Sequence, residues 1–176
     1  KTKMRFQNKF IIMLPILVLI IFLTVFVSFK EETSVREAKV SGTFYPLTKA
    51  GLERDVERYL ERAEVQVGNP KALIVPHAGY KYSGQVAAQG FAQIKKDYKK
   101  VFIIASNHEE KASFTGISVP NATHYETPLG LVEVSEITKD LKENNLFTTN
   151  KKAHDSHMIE VELPFLQKQL DGFEII

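Results

Sequence analysis

Two runs of the chain, Lys71-Ala72-Leu73-Ile74-Val75-Pro76 and Val101-Phe102-Ile103-Ile104-Ala105, are apolar almost without a break and only strand length. A strand that is apolar on both sides of its pleat needs cover on both faces, as in a parallel sheet. Amphipathic segments alternate with these runs. Residues 47–65 carry Leu52, Val56, Tyr59, Leu60 and Ala63 at helical spacing, with Thr48 as a cap and Glu53, Arg54, Glu57, Arg58 and Glu61 on the wet face. Residues 83–98 read as a second helix with Val86, Ala87, Phe91 and Ile94 inward and Lys95, Lys96 and Lys99 near its C-terminal end, where they complement the dipole. Residues 115–119 and 131–134 read as short strands, 135–143 and 157–170 as helices, and 173–176 as a final strand. The alternation predicts an α/β fold: a largely parallel sheet with helices on both faces and right-handed crossovers. Because the last segment has the composition of an interior strand, the domain is expected to continue past Ile176, its C-terminal part missing.

The first thirty residues are of another kind. Phe10 to Phe29 contain no charge, and only Pro15, Thr24 and Ser28 interrupt their apolar character. As a helix this stretch is about 30 Å long, the thickness of a bilayer's hydrocarbon core. It is longer than the apolar region of a cleaved signal peptide, and no small-x-small site or lipidation Cys follows it. Basic residues precede it, which predicts a single-pass signal anchor in the lipid bilayer with residues 1–9 cytoplasmic. Residues 30–39 then read as a polar stalk and residues 40–176 as the domain outside.

Charge narrows the partners. Residues 1–29 hold Lys1, Lys3, Arg5 and Lys9 and no acid; removing those four from 23 basic residues leaves 19 against 21 acidic ones. The domain therefore carries no positive excess to recruit a phosphate backbone, and nucleic acid drops out as a leading partner. With no Cys there is no disulfide framework.

Chemistry concentrates in five His. His77 follows the first apolar run, in Pro76-His77-Ala78-Gly79-Tyr80, and His108 follows the second, in Ser106-Asn107-His108. Loops at the carboxyl ends of parallel strands converge on one crevice. Two imidazoles there can share a metal ion. Each taken singly reads as readily as a hydrogen-bonded loop residue. In His154-Asp155-Ser156-His157-Met158-Ile159-Glu160, Ser156 is a candidate N-cap, so His157 and Glu160 fall one turn apart on one helical face. That spacing suits a substrate-binding His, and equally an ordinary charged helix start. His124 has no partner at readable spacing and reads as surface. Asn121-Ala122-Thr123 is a chance-level glycosylation sequon.

At these residues the chain resembles the Memo-like family, whose prokaryotic members are called AmmeMemoRadiSam system protein B. The matching stretches are Ser41-Gly42-Thr43-Phe44-Tyr45-Pro46, Ala72 to Tyr80 with Tyr82-Ser83-Gly84, Ser106-Asn107-His108, Tyr125-Glu126-Thr127-Pro128-Leu129-Gly130, and His157-Met158-Ile159-Glu160-Val161-Glu162-Leu163-Pro164-Phe165-Leu166. The resemblance implies a fold similar to class III extradiol dioxygenases, which use non-haem iron. It places His77 and His108 at two metal-ligand positions, for iron or copper, and His157 in the same pocket against substrate. The family's third ligand, a Cys, and its acid/base His with a nearby Asp lie in the C-terminal half, beyond these residues.

Two function classes follow. One is metal-dependent redox or dioxygenase-like chemistry on a small molecule, for which this chain alone supplies an incomplete site. The other is a non-catalytic module that binds a peptide or protein in the same crevice. The family name also implies AMMECR-type and radical-SAM proteins as partners.

Overall fold

The computed structural model describes residues 33–95, 97–108 and 112–176. The elements are β1 (Val35–Arg36), α1 (Lys49–Glu61), α2 (Tyr80–Phe91), β2 (Lys100–Val101), β3 (Ile117–Ser118), β4 (His124–Thr127), β5 (Gly130–Val134), α3 (Ile137–Leu141), β6 (Phe147–Thr148), α4 (Lys151–His154), α5 (His157–Glu160), α6 (Leu163–Gln169) and β7 (Glu174–Ile175). The main sheet runs β1-β4-β5-β7-β2. Its pairs are parallel except the β4–β5 hairpin. β3 and β6 pair parallel in a small second sheet. This is the expected α/β fold with a largely parallel sheet.

Local chemistry explains the elements. Thr48 caps α1 with its hydroxyl accepting from the Gly51 N–H, and the 52/56 spacing buries Leu52 and Val56 completely. α2 closes on α1 because Gly84 has no side chain: a Cβ there would lie 2.9 Å from the Tyr59 ring. From α6, Phe165 stacks on Phe91 of α2 at 5.2 Å between ring centroids. Those rings join Tyr125, Val132, Val134 and Ile175 of the sheet in one core. A buried aromatic core of this kind carries most of the driving force, about 25 cal/mol per Å² of apolar surface removed from water.

Several expectations need correction. The apolar stretch at 10–29 lies outside the described residues, and no helix among those described is long and apolar enough to cross a membrane. The single-pass placement, with the domain outside, is therefore withdrawn. Val35 and Arg36, read as part of a polar stalk, form a sheet strand with Arg36 buried. Residues 71–76 join no ladder, and of the second run only Val101 does, paired through β2 to β7. Their side chains still alternate as strands do: Leu73 and Val75 turn inward while Ile74 and Ile104 are almost wholly exposed. α2 begins three residues earlier than the pattern suggested, and Val86 faces outward. The expected helix over 157–170 is two, α5 and α6, with Pro164 in the first turn of the second, where its missing N–H costs nothing. Ser156 precedes α5 in extended conformation, but its buried hydroxyl makes no cap and finds no partner among the described residues.

Candidate functional site

His77 and His108 end the two apolar runs, and the fold brings their rings together. Their Nε2 atoms are 2.9 Å apart, with ring centroids at 5.1 Å. His157, first residue of α5, completes a triangle at 5.9 Å from His77 and 6.4 Å from His108. The three imidazoles named from sequence thus form one cluster. Burial, followed by the neighbouring His108, pushes the His77 pKa below its ordinary value and favours the neutral ring.

Three pieces of structure hold the cluster. Gly79 lies against the backbone of Phe44, where its Cβ position comes within 3.4 Å of Phe44 atoms. The Tyr80 N–H donates to the Phe44 carbonyl at 2.7 Å, fastening the start of α2 beside His77. The Phe44 ring in turn packs on His157 at 4.6 Å.

Behind this lies Glu160, fully buried. Its Oε1 accepts from the Tyr45 hydroxyl and the Val40 N–H, and its Oε2 from Arg36 and the Lys39 N–H. Burial opposes its ionisation, but the hydrogen bonds from Tyr45, Arg36 and the two backbone donors outweigh it and hold the carboxyl below its ordinary value. Arg36 spends its remaining donors on the carbonyls of Glu37, His154, Asp155 and Ser156. Glu160 is therefore a clamp between residues 36–45 and α5, not an ordinary helix-start acid.

The other His stand apart. His154 is wedged between the Tyr125 hydroxyl at Nδ1 and the Ser118 hydroxyl at Nε2, and His124 bonds the adjacent Thr123 hydroxyl.

Beside the cluster a cavity of about 630 Å³ opens between the two apolar runs; His77, Leu73, Phe102, Ser106, Met158 and Glu162 are among its lining residues. Glu162 passed unnoticed in the sequence, although a carboxylate inside Val161-Glu162-Leu163-Pro164-Phe165 is a visible anomaly. The same holds for Phe44 and Arg36, whose roles depend on contacts far along the chain.

Among the described residues no group of three or more His, Cys, Asp or Glu forms a complete metal set. Two imidazole nitrogens do fit adjacent ligand positions: bonds of about 2.0–2.1 Å at right angles place the donors roughly 2.9 Å apart.

A largely parallel α/β sheet, with a His pair where two apolar runs end, defines an α/β protein with a crevice at the ends of those runs. Residues 36–176 match the Memo-like protein family, and the chain belongs to it. It is 33% identical over 144 residues to the memo-1 homolog of Caenorhabditis elegans, covering 80% of this chain and 40% of that protein. To MEMO1 family proteins of Methanosarcina barkeri and Aquifex aeolicus it is 34% and 36% identical, covering 78% and 76% of this chain and 51% and 50% of theirs. The chain thus spans about half the length of these relatives, or less.

Proposed function

We propose that this protein is a metal-dependent Memo-like protein of the AmmeMemoRadiSam system B type, acting on a small molecule held in the crevice beside His77. The 2.9 Å separation of the His77 and His108 Nε2 atoms carries the reading, because it suits two neutral donors to one ion. Iron or copper bound there would supply redox chemistry toward a small molecule such as dioxygen. His77 and His108 would hold the ion. His157, whose ring lies beside both, would contact the substrate and carry a proton to or from it. Phe44 and Met158 would exclude water from that side. The remaining ligand would come from the part of a Memo-length polypeptide that this chain does not span.

Metal analysis of the purified full-length gene product, with the Memo-length domain, tests this reading. Iron or copper is expected in the wild type and lost in the His77→Ala/His108→Ala variant. Absence of metal from both overturns it and favours peptide binding in the same crevice, a reading supported by the exposed Ile74 and Ile104 on its walls.

A further inference from the structure

Among the polar side chains that line the crevice, Glu162 is buried and stands outside the His cluster. Glu162 is 7% exposed and lines the cavity, and its Oε2, shut off from solvent, has no hydrogen-bond partner among the described residues. A buried carboxyl oxygen without a partner carries the whole cost of its desolvation. The nearby Glu160 shows the contrast: four donors satisfy it. Burial raises the Glu162 pKa to about 8. Of the basic residues on the lining, Lys71 is exposed to solvent and Lys100 is held by Glu174 and the Ser135 hydroxyl. His77 is shifted toward its neutral form. The rest of the wall is largely apolar, with Leu73, Val75, Phe91, Phe102, Leu166 and Leu170. The volume falls within the range of small-molecule sites.

We propose that Glu162 is the anchor for a protonated amine on the ligand of this crevice, whose apolar body lies along the two runs. The site thereby selects an alkyl- or arylalkyl-ammonium compound, whose charge supplies a counterpart missing among the described residues. This extends the preceding proposal by giving its small molecule a chemical class, and it takes from that reading only that the crevice binds a small molecule.

The experiment is calorimetric titration of the whole protein with n-pentylammonium and, separately, with 1-pentanol, at pH 9, where an alkylamine keeps its proton. A charge-assisted hydrogen bond is about twice as strong as a neutral one, so the ammonium is expected to bind about tenfold more tightly than the alcohol. Glu162→Gln should abolish that preference while leaving pentanol binding intact, which also shows the cavity to be folded. Glu162→Leu, which removes the unpaired buried oxygen, should likewise lose the ammonium preference and melt higher than the wild type. Equal binding of the two probes, binding of neither, or a preference that survives in the Gln and Leu variants overturns the proposal. Metal content reports separately: an amine preference in a metal-free protein sinks the metal reading and spares this one, and metal without amine preference does the reverse.

Discussion

Arg36 and Glu160 form a buried ion pair across 124 positions of sequence, and their side chains are 5% and 0% exposed. The pair fastens β1 to α5, and through Tyr45, Lys39 and Val40 it sets the path of the segment that carries Phe44. Breaking one side of such a pair leaves the other charge uncompensated, at about 3–5 kcal/mol. Glu160→Gln is expected to lower the unfolding free energy by that much at neutral pH, read as a lower urea midpoint with an unchanged slope. A loss below about 1 kcal/mol would show that the guanidinium is satisfied by carbonyls alone.

The same carboxyl predicts acid lability. Its folded pKa is depressed, so its contribution is fully present above its unfolded value of about 4.3 and is lost as pH falls through the lower folded value. The wild type should lose stability below about pH 4 more steeply than Glu160→Gln, seen as converging melting temperatures.

His154 adds a separate dependence nearer neutrality. Burial, opposed by its contact with Ser118, depresses its pKa. The neutral ring bridges β4 and β3 through Tyr125 and Ser118. For a His whose folded pKa is lowered, stability is complete above its unfolded value of about 6.5 and declines as pH drops toward the folded one. His154→Gln should flatten the stability profile between about pH 6.5 and 5; an unchanged slope would show the ring to be uncoupled from folding.

If His77 and His108 serve one ion, their effects on metal affinity cannot be independent. His77→Ala and His108→Ala should each weaken binding by about the same large factor, and the double variant should be far less impaired than the sum of the two. Additive losses, measured by competition with a chromophoric chelator, would point to two separate weak sites.

Gly116 offers a test remote from the crevice. Its φ is +93°, and a Cβ there would sit 2.3 Å from the Leu146 carbonyl oxygen, a backbone atom that cannot swing away. Gly116→Ala should cost about 1–3 kcal/mol from the backbone conformation alone and weaken the β3–β6 pairing beside it, read as faster amide exchange at Ile117 and Val119.

How far the sequence exposed all this depends on the range of the interaction. α1 was legible because Thr48, Leu52 and Val56 act within a few residues of one another, and propensity, cap and pattern agree. The His77–His108 pairing was legible from position alone, since each ring follows an apolar run. β4 was not, because His124 and Glu126 alternate with Tyr125 and Thr127 in a stretch that looks like loop until β1 and β5 flank it. Glu160 looked like a helix-start acid because its partners lie on a segment over a hundred residues earlier. The ladders expected at 71–76 failed for the converse reason: a run's composition says it can pair, but pairing requires a neighbouring edge.

The two imidazoles sit on stretches of chain that share no ladder hydrogen bonds in the described structure. Any occupant gripping both rings would therefore act as a staple across the fold, and filling the crevice and resisting heat would become a single thermodynamic quantity. A thermal shift on adding candidate ions would then serve as a binding isotherm, and a protein stripped of its occupant would loosen first at the mouth where those stretches meet.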